Sequence, residues 1–307
     1  MTPGTPNGSD LLVQRLHALV QQSPDLKDVA RRYEIILPLL RDADLRAATV
    51  TISPEQAYAK MAAGLPLLYD VELELDYAEV HGLMLRLAGA LEKVSGNGRD
   101  TCRRIREALE EGRLKMDTLL PSIAAGDQGP VASAAKCLHL NAGFVWTLAQ
   151  NALKPALHSW RRQLAPLLEG IPWNKGCCPV CGSGPILGEL QGNHLGKHLR
   201  CGQCGADWPF HRLQCLYCGN LDHHTLGYLY EEPRREKMMV EVCNQCRGYL
   251  KVIVSFTPTP PQLLTVEDLA TLHLDYIAEK HGYGRVAVRV SAHSQDGSKS
   301  EVYHLRG

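Results

Sequence analysis

The chain has 307 residues, of which 45% are apolar and 21% charged, and its 33 Lys and Arg residues balance its 33 Asp and Glu residues. This length suits two or more compact domains, and the composition is that of a folded protein. The balanced charge disfavours a nucleic-acid partner. The sequence predicts no membrane span, and residues 1–10 lack the features of a signal peptide, so we expect a cytoplasmic protein with reduced thiols.

The first half of the chain predicts helices. Apolar stripes at helical spacing are formed by Leu12, Leu16, Leu19 and Val20, and again by Val80, Leu83, Leu87, Leu91 and Val94. Ser23 and Ser53 each precede a proline, which is the pattern of a helix N-cap followed by its first residue. A helix with a charged face is expected over 99–111, and one long buried helix over 131–153. We therefore expect an all-α domain over residues 1–168.

Four Cys-x-x-Cys pairs follow within a short stretch, and they are the most specific signal in the sequence. The pairs are Cys178 and Cys181, Cys201 and Cys204, Cys215 and Cys218, and Cys243 and Cys246. Three pairs are followed directly by glycine, which allows the turn a positive φ. Two such pairs complete the tetrahedral four-thiolate site of structural zinc or of a rubredoxin-type iron. The eight cysteines therefore predict two metal ions.

The spacing leaves the pairing of these motifs open. A tandem arrangement places Cys178, Cys181, Cys201 and Cys204 on one ion and Cys215, Cys218, Cys243 and Cys246 on the other; a cross-braced arrangement is the alternative. A disulfide framework would need an oxidising compartment. The fourth pair is followed by Arg247 instead of glycine, so we expect its turn to be strained or differently built.

The remaining cysteines and the nearby histidines are expected to lie outside the ligand sets, with replacement of a cysteine ligand by one histidine as the alternative. The cysteines outside the motifs are Cys102, Cys137 and Cys177. Packing is the expected role of Cys102 and Cys137, whereas Cys177 is expected to be a spare neighbour of the first pair, with a substitute ligand or a reactive thiol as the alternatives. The histidines in the cysteine-rich stretch are His194, His198, His211, His223 and His224, for which we expect roles around the sites or at an interface.

Short aromatic and β-branched runs between the cysteine pairs predict strands. These runs cover residues 198–200, 208–213, 225–230, 238–242 and 249–256. We expect β-ribbons that each deliver one cysteine pair, in a domain over 169–256 made of modules 177–210 and 211–256. Residues 170–176 are rich in chain breakers and are the expected linker.

The end of the chain predicts a third region over 257–307. It begins with the proline-rich 257–261, and a helix is expected from Thr265 as N-cap to about Lys280, followed by one strand over 286–290. The expected fold class is α+β: a helical domain, two tandem rubredoxin-like or zinc-ribbon four-cysteine modules, and a C-terminal helix.

The cysteine motifs together resemble the formate dehydrogenase accessory protein family FdhE. The similar segments are Cys178-Pro-Val-Cys-Gly182, 199–208, 215–219 and Cys243-Asn-Gln-Cys-Arg-Gly-Tyr-Leu-Lys251, and the segment 268–275 is similar to the family's C-terminal part. The tail after Gly284 does not look like the family's apolar ending.

This resemblance implies a cytoplasmic maturation factor, not an enzyme, that associates with the catalytic subunit of formate dehydrogenase. It also implies that the eight cysteines hold two iron ions in rubredoxin-like sites, with zinc as the alternative because both metals accept four sulfurs.

Other functions remain open at this level. A rubredoxin-like electron carrier would use the same sites, and a zinc-ribbon nucleic-acid binder could stack bases on Trp208, Tyr217 and Tyr230. The sequence carries no Gly-rich phosphate loop, nucleophile elbow or His-Glu-x-x-His motif. It leaves open whether the chain forms a homo-oligomer.

Overall fold

The computed structural model describes residues 8–43, 50–71, 73–94, 96, 98–124, 127–232, 236–286 and 305–306. The chain divides into two compact units, one formed by residues 1–50, 70–160 and 302–307 and the other by residues 51–69 and 161–301. Residues 51–69, which fall within the expected helical domain, thus group with the cysteine-rich stretch.

The helices of the described residues follow the predicted regions closely. They are α1 (Gly8–Gln22), α2 (Lys27–Asp42), α3 (Pro54–Ala62), α4 (Tyr77–Val94), α5 (Arg99–Glu110), α6 (Met116–Ala124), α7 (Gly129–Cys137), α8 (Ala142–Leu164), α9 (Leu264–Ala270) and α10 (Leu272–Lys280). Short 3-10 turns lie at Pro24–Leu26, Ala165–Leu168 and Pro261–Leu263. None of the helices described has the length and apolar character needed to cross a membrane.

The apolar stripes of the first unit form its core, as expected. Leu12, Leu16 and Leu19 of α1 are buried, and so are Val80, Leu83, Leu87 and Leu91 of α4. The helix α4 packs against α2 and α5. Helix α5 buries Cys102, Ile105, Ala108 and Leu109 while its Arg and Glu residues lie on the other face.

The two Ser-Pro signals have different outcomes. Ser53 forms a full capping box: its hydroxyl accepts the Gln56 N–H at 3.2 Å, and the Gln56 side chain accepts the Ser53 N–H at 2.9 Å. Ser23 does not cap a helix with its side chain, because Pro24–Leu26 forms a 3-10 turn and α2 begins only at Lys27.

The single long helix expected over 131–153 is wrong. The chain breaks between α7 and α8, where His139 has a φ of +52° and the Leu140 N–H returns to the Ala135 carbonyl at 2.8 Å. A new helix then begins because the Asn141 side chain accepts the Phe144 N–H at 2.9 Å. Asn141 is the local signal for this start, hidden within an apolar run.

The second unit contains a six-stranded sheet. Its strands are β2 (Pro185–Gln191), β3 (Gly196–Cys201), β4 (Asp207–Pro209), β5 (Leu226–Leu229), β6 (Met238–Cys243) and β7 (Tyr249–Ser255), and a separate short ladder pairs β1 (Leu73–Glu74) with β8 (Leu305–Arg306). The strand order is β4-β3-β2-β7-β6-β5. All neighbours are antiparallel except β2 and β7, which pair in parallel through Gly188–Gln191 and Val252–Ser255. The two four-cysteine modules therefore share one sheet.

The predicted strands are present with somewhat different bounds, and β2 was not predicted. Its Pro185 and Gly188 are poor strand formers. Gly188 is nevertheless needed, because a Cβ there would lie 3.0 Å from Leu250 Cδ2 and 3.1 Å from Val252 Cγ2 on β7. The close approach of β2 to β7 thus explains why glycine, which disfavours strands, occupies position 188.

Two expectations concern the edges of this unit. Residues 170–176 contain no helix or strand, and within them Trp173 is buried and donates its indole N–H to the Cys177 carbonyl at 2.8 Å. The C-terminal helix begins at Leu264, with Leu263 at the cap position in place of Thr265, and it is interrupted at the buried Thr271. Most of the strand expected over 286–290 lies outside the described residues.

These elements confirm the α+β class, with a helical N-terminal region, a sheet that carries two four-cysteine groups, and C-terminal helices.

Candidate metal centres

The structure brings the eight predicted cysteines together in the tandem arrangement. The sulfurs of Cys178, Cys181, Cys201 and Cys204 all lie within 4.8 Å of one another, and so do those of Cys215, Cys218, Cys243 and Cys246. The cross-braced alternative is not the one found.

The sulfur separations fit a tetrahedral ion. The Cys178–Cys204 and Cys181–Cys201 sulfurs are 3.5 Å apart in the first group, and the Cys215–Cys246 and Cys218–Cys243 sulfurs are 3.6 and 3.8 Å apart in the second. A tetrahedron with metal–sulfur bonds of about 2.3 Å has edges of about 3.8 Å. Both donor sets therefore suit a zinc or iron tetrathiolate.

Three of the cysteine turns have the geometry that their glycines predict. Gly182, Gly205 and Gly219 have φ values of +76°, +74° and +73°, and each donates its N–H to the carbonyl of the first cysteine of its pair at 3.0–3.1 Å. The turns also point backbone N–H groups at sulfur: Val180 at Cys178 and Gln203 at Cys201, both at 3.4 Å. Such donors stabilise a negatively charged thiolate.

The fourth turn keeps the same shape with arginine in the glycine position. Arg247 has a φ of +59° and donates its N–H to the Cys243 carbonyl at 2.9 Å. A left-handed conformation costs a residue with a Cβ about 1–2 kcal/mol. The expected strain is therefore present, and the turn is otherwise built like the other three.

The Arg247 side chain connects this turn to the end of α10. Its guanidinium donates to the His281 carbonyl at 2.7 Å and to the Gly282 carbonyl at 3.2 Å, and it lies 4.0 Å from the centre of the Tyr283 ring. Carbonyls at a helix C-terminus attract a cation. These contacts offset the strain and explain why arginine is tolerated where the other turns have glycine.

Substitutions at Arg247 should separate the strain from the contacts. We expect Arg247→Ala to destabilise the chain, since it keeps the left-handed strain and loses the guanidinium contacts. Arg247→Gly loses the same contacts but removes the strain, so it should be more stable than Arg247→Ala by about 1 kcal/mol. Urea unfolding of both variants measures this difference; equal stabilities, or a less stable glycine variant, would show that the strain is not significant.

In both groups, burial and hydrogen bonding act on the pKa values of the thiols in opposite directions. Burial raises the pKa of Cys178 and Cys204, whereas hydrogen bonds from the neighbouring thiols lower the pKa of Cys181. Burial opposes ionisation of Cys243, but backbone hydrogen bonds and the Asn220 amide outweigh it and lower its pKa to about 7. Four buried thiolates would repel one another, so a cation is required before all of them ionise.

The other candidate ligands, Cys177, His194, His198 and His211, are not members of these four-cysteine groups. Cys177 is buried beside the first group, and burial raises its pKa to about 11, which argues against a reactive thiol. His198 Nδ1 lies 2.6 Å from Asp207 Oδ1 and is therefore occupied by a hydrogen bond. His194 and His211 are exposed.

One cluster was not anticipated from the sequence. Possible ligand atoms of the exposed Asp222, His223 and His224 lie within 4.8 Å of one another, and the two imidazole centres are 4.0 Å apart. The adjacent His-His pair after an aspartate is the signal that could have indicated it.

Comparisons with known proteins agree with the fold and the cysteine groups. The model of the family described as FdhE, C-terminal domain, matches residues 213–290, which include the second group. An FdhE homolog of Aquifex aeolicus is 28% identical over 137 residues, 44% of this chain and 47% of that protein. An FdhE homolog of Stutzerimonas stutzeri is 34% identical over 115 residues, 36% of each chain. The matched segments thus span less than half the length of these curated relatives.

A solved structure extends the similarity of fold to most of the chain. The crystal structure of the FdhE protein from Pseudomonas aeruginosa is similar with a TM-score of 0.60 and 24% identity, over 93% of this chain and 96% of that one. At this identity the match concerns the fold alone. Together with the family-model match over residues 213–290, it confirms the resemblance carried by the cysteine motifs: the chain is similar to FdhE proteins in its cysteine-rich part and in its fold.

Proposed function

We propose that this chain is a cytoplasmic accessory factor for the maturation of formate dehydrogenase. In this role it binds the catalytic subunit of that enzyme and turns over no substrate itself. The observation that carries the proposal is the pair of four-cysteine groups on one sheet, the second of which lies within the segment that matches the FdhE C-terminal domain. Retention of thiols as ligands fits a reducing compartment.

We propose iron as the metal, with Cys178, Cys181, Cys201 and Cys204 as ligands of one ion and Cys215, Cys218, Cys243 and Cys246 as ligands of the other. Iron bound to four thiolates can accept and donate one electron, whereas zinc has no redox chemistry. The chain's own contribution is to fix the sulfurs and to direct backbone N–H groups at them. Metal analysis and a visible spectrum of freshly isolated protein distinguish the metals, because the ferric site is red and the zinc site colourless.

The client interaction is tested with the full chain as bait. We expect a tagged chain to retain the catalytic subunit of formate dehydrogenase from the same cell, and a strain without the gene to lose formate dehydrogenase activity. Cys137→Ser is the matched control, because it removes an exposed thiol outside both groups and should restore activity fully. No retention, together with full activity in the deletion strain, would refute the proposal.

An electron carrier is the second candidate, and the exposure of Cys218 favours it because electron transfer requires a site near the surface. Rapid reduction by a physiological reductase would support this function. A nucleic-acid function has less support, since Trp208 is 2% exposed and donates its indole N–H to the Lys175 carbonyl, and so cannot stack on a base.

A further inference from the structure

We propose that the two cysteine groups are unequal: the Cys215 group exchanges its ion with the surroundings, and the Cys178 group does not. The Cys178 group comprises Cys178, Cys181, Cys201 and Cys204, and the Cys215 group comprises Cys215, Cys218, Cys243 and Cys246. This inference rests on the proposed function, since it treats both groups as metal sites.

The burial of the sulfur-bearing residues differs sharply between the groups. In the Cys178 group three cysteines are 0% exposed and Cys181 is 6% exposed. In the Cys215 group Cys218 is exposed and Cys246 is half-buried. A reagent in solution can therefore reach the second group while the protein stays folded, and it can reach the first only after a local opening.

The chain around the Cys178 group explains its burial. The Leu67 N–H donates to the Pro179 carbonyl at 2.8 Å, and the Leu68 N–H donates to the Val180 carbonyl at 2.9 Å. Both leucines are buried. A segment that is more than a hundred residues distant in sequence thus covers the first cysteine turn, and its removal would break backbone hydrogen bonds and expose apolar surface.

The Cys215 group instead adjoins open space. A half-open cavity of about 110 Å³ lies beside it and is lined by Cys215 and Cys243 together with Leu226 and Tyr228. Tyr228 itself is exposed. This cavity admits water or a small ligand to the inner sulfurs, while the exposed Cys218 offers the outer side.

Access to sulfur controls the rate of exchange. A chelator removes an ion by replacing its thiolates one at a time, and each released thiolate takes up a proton from water, so the products are the metal chelate and four thiols. Every step requires contact between the incoming group and the site. We therefore expect the Cys215 group to lose its ion at least ten times faster. It is the site that responds to the metal and redox state around the protein, while the Cys178 group maintains the fold.

The test uses the full chain loaded with two zinc ions. Excess ethylenediaminetetraacetate should remove one zinc ion per chain quickly and the other slowly. Metal analysis of the protein, desalted at successive times, measures the two rates. In parallel, brief treatment with N-ethylmaleimide followed by peptide mass spectrometry should modify Cys218 and Cys246 before any cysteine of the Cys178 group. Cys137 and Cys102 are internal references, because the first is exposed and the second buried outside both groups.

Variants assign the two phases. Cys218→Ser should abolish the fast phase of zinc release and leave the slow phase. The double variant His223→Ala and His224→Ala should leave the fast phase unchanged, which would exclude the exposed histidines as ligands of the zinc ion that is released first. If both zinc ions left at the same rate, or if the Cys178 group were alkylated first, the inference would be overturned but the proposal that both groups bind metal would not. A chain that cannot hold two ions would instead overturn the proposed function. The alkylation order needs no variant, so a misfolded Cys218→Ser protein does not prevent a decision.

Discussion

Cys201→Ser is expected to unfold the whole six-stranded sheet, including the strands that carry the second cysteine group. Cys201 ends β3 and is fully buried. A structural tetrathiolate site contributes on the order of 10–16 kcal/mol to folding, which is comparable to the entire stability of a typical domain. The parallel ladder between β2 and β7 joins the two modules in one sheet, so loss of the first site removes the neighbour on which β7 depends.

The measurement is the metal content together with far-ultraviolet circular dichroism and limited proteolysis. We expect the Cys201→Ser chain to bind less than one ion and to be cleaved throughout residues 177–256. Cys137→Ser is the control with the same chemical change at an exposed position on α7, and it should behave like the unsubstituted chain. A Cys201→Ser protein that retains one ion and a protease-resistant 211–256 segment would show that the modules fold independently.

The parts of this fold that could be predicted are those determined by near neighbours in sequence. The cysteine turns follow from a two-residue spacing and a glycine, and the N-cap at Ser53 from the Ser53-Pro54 pair. In each case the residues that make the interaction carry the chemical signal themselves. Which pairs share an ion was left open by the spacing, and the structure shows the tandem arrangement.

The parts that could not be predicted depend on residues far apart in sequence. Gly188 weakens β2 as a strand by local propensity, yet it allows the approach of β7, more than sixty residues later. The unequal burial of the two cysteine groups arises from Leu67 and Leu68 covering the first turn. Lys251 is one polar residue in an apolar run, and nothing local in the sequence indicates that its charge is buried.

Lys251→Met is expected to destabilise the second unit by about 3–5 kcal/mol, the usual cost of breaking a buried ion pair from one side. The Lys251 side chain on β7 is 0% exposed, and its ammonium lies 2.6 Å from Asp268 Oδ1 on α9 and 2.7 Å from Asp275 Oδ2 on α10. It also donates to the Asp268 carbonyl at 2.9 Å. Methionine fills a similar volume but removes the buried ammonium, which leaves Arg285 facing both carboxylates and the Tyr249 hydroxyl donating to Asp275. Urea unfolding followed by circular dichroism measures the loss.

The same cluster predicts how this loss depends on pH. Burial would raise the pKa of Asp275, but hydrogen bonds from Lys251 and Tyr249 outweigh it and hold the pKa below its usual value. A carboxylate with a lowered pKa stabilises the fold above the pKa of the unfolded chain, about 3.9, and loses that contribution as the pH falls through the folded value. The difference between the unsubstituted chain and Lys251→Met should therefore be largest near neutral pH and become smaller below about pH 4.

Two further variants distinguish the loss of a buried ion pair from the general effect of replacing a lysine on stability. Lys280→Met makes the same change at an exposed position at the end of α10, and we expect it to alter stability by no more than about 0.5 kcal/mol. Adding Asp275→Leu to Lys251→Met removes one of the carboxylates left without its cation, so the double variant should recover part of the lost stability. If Lys251→Met were as stable as Lys280→Met, or if Asp275→Leu only added to its loss, the ion cluster would not be what holds α9 and α10 against the sheet.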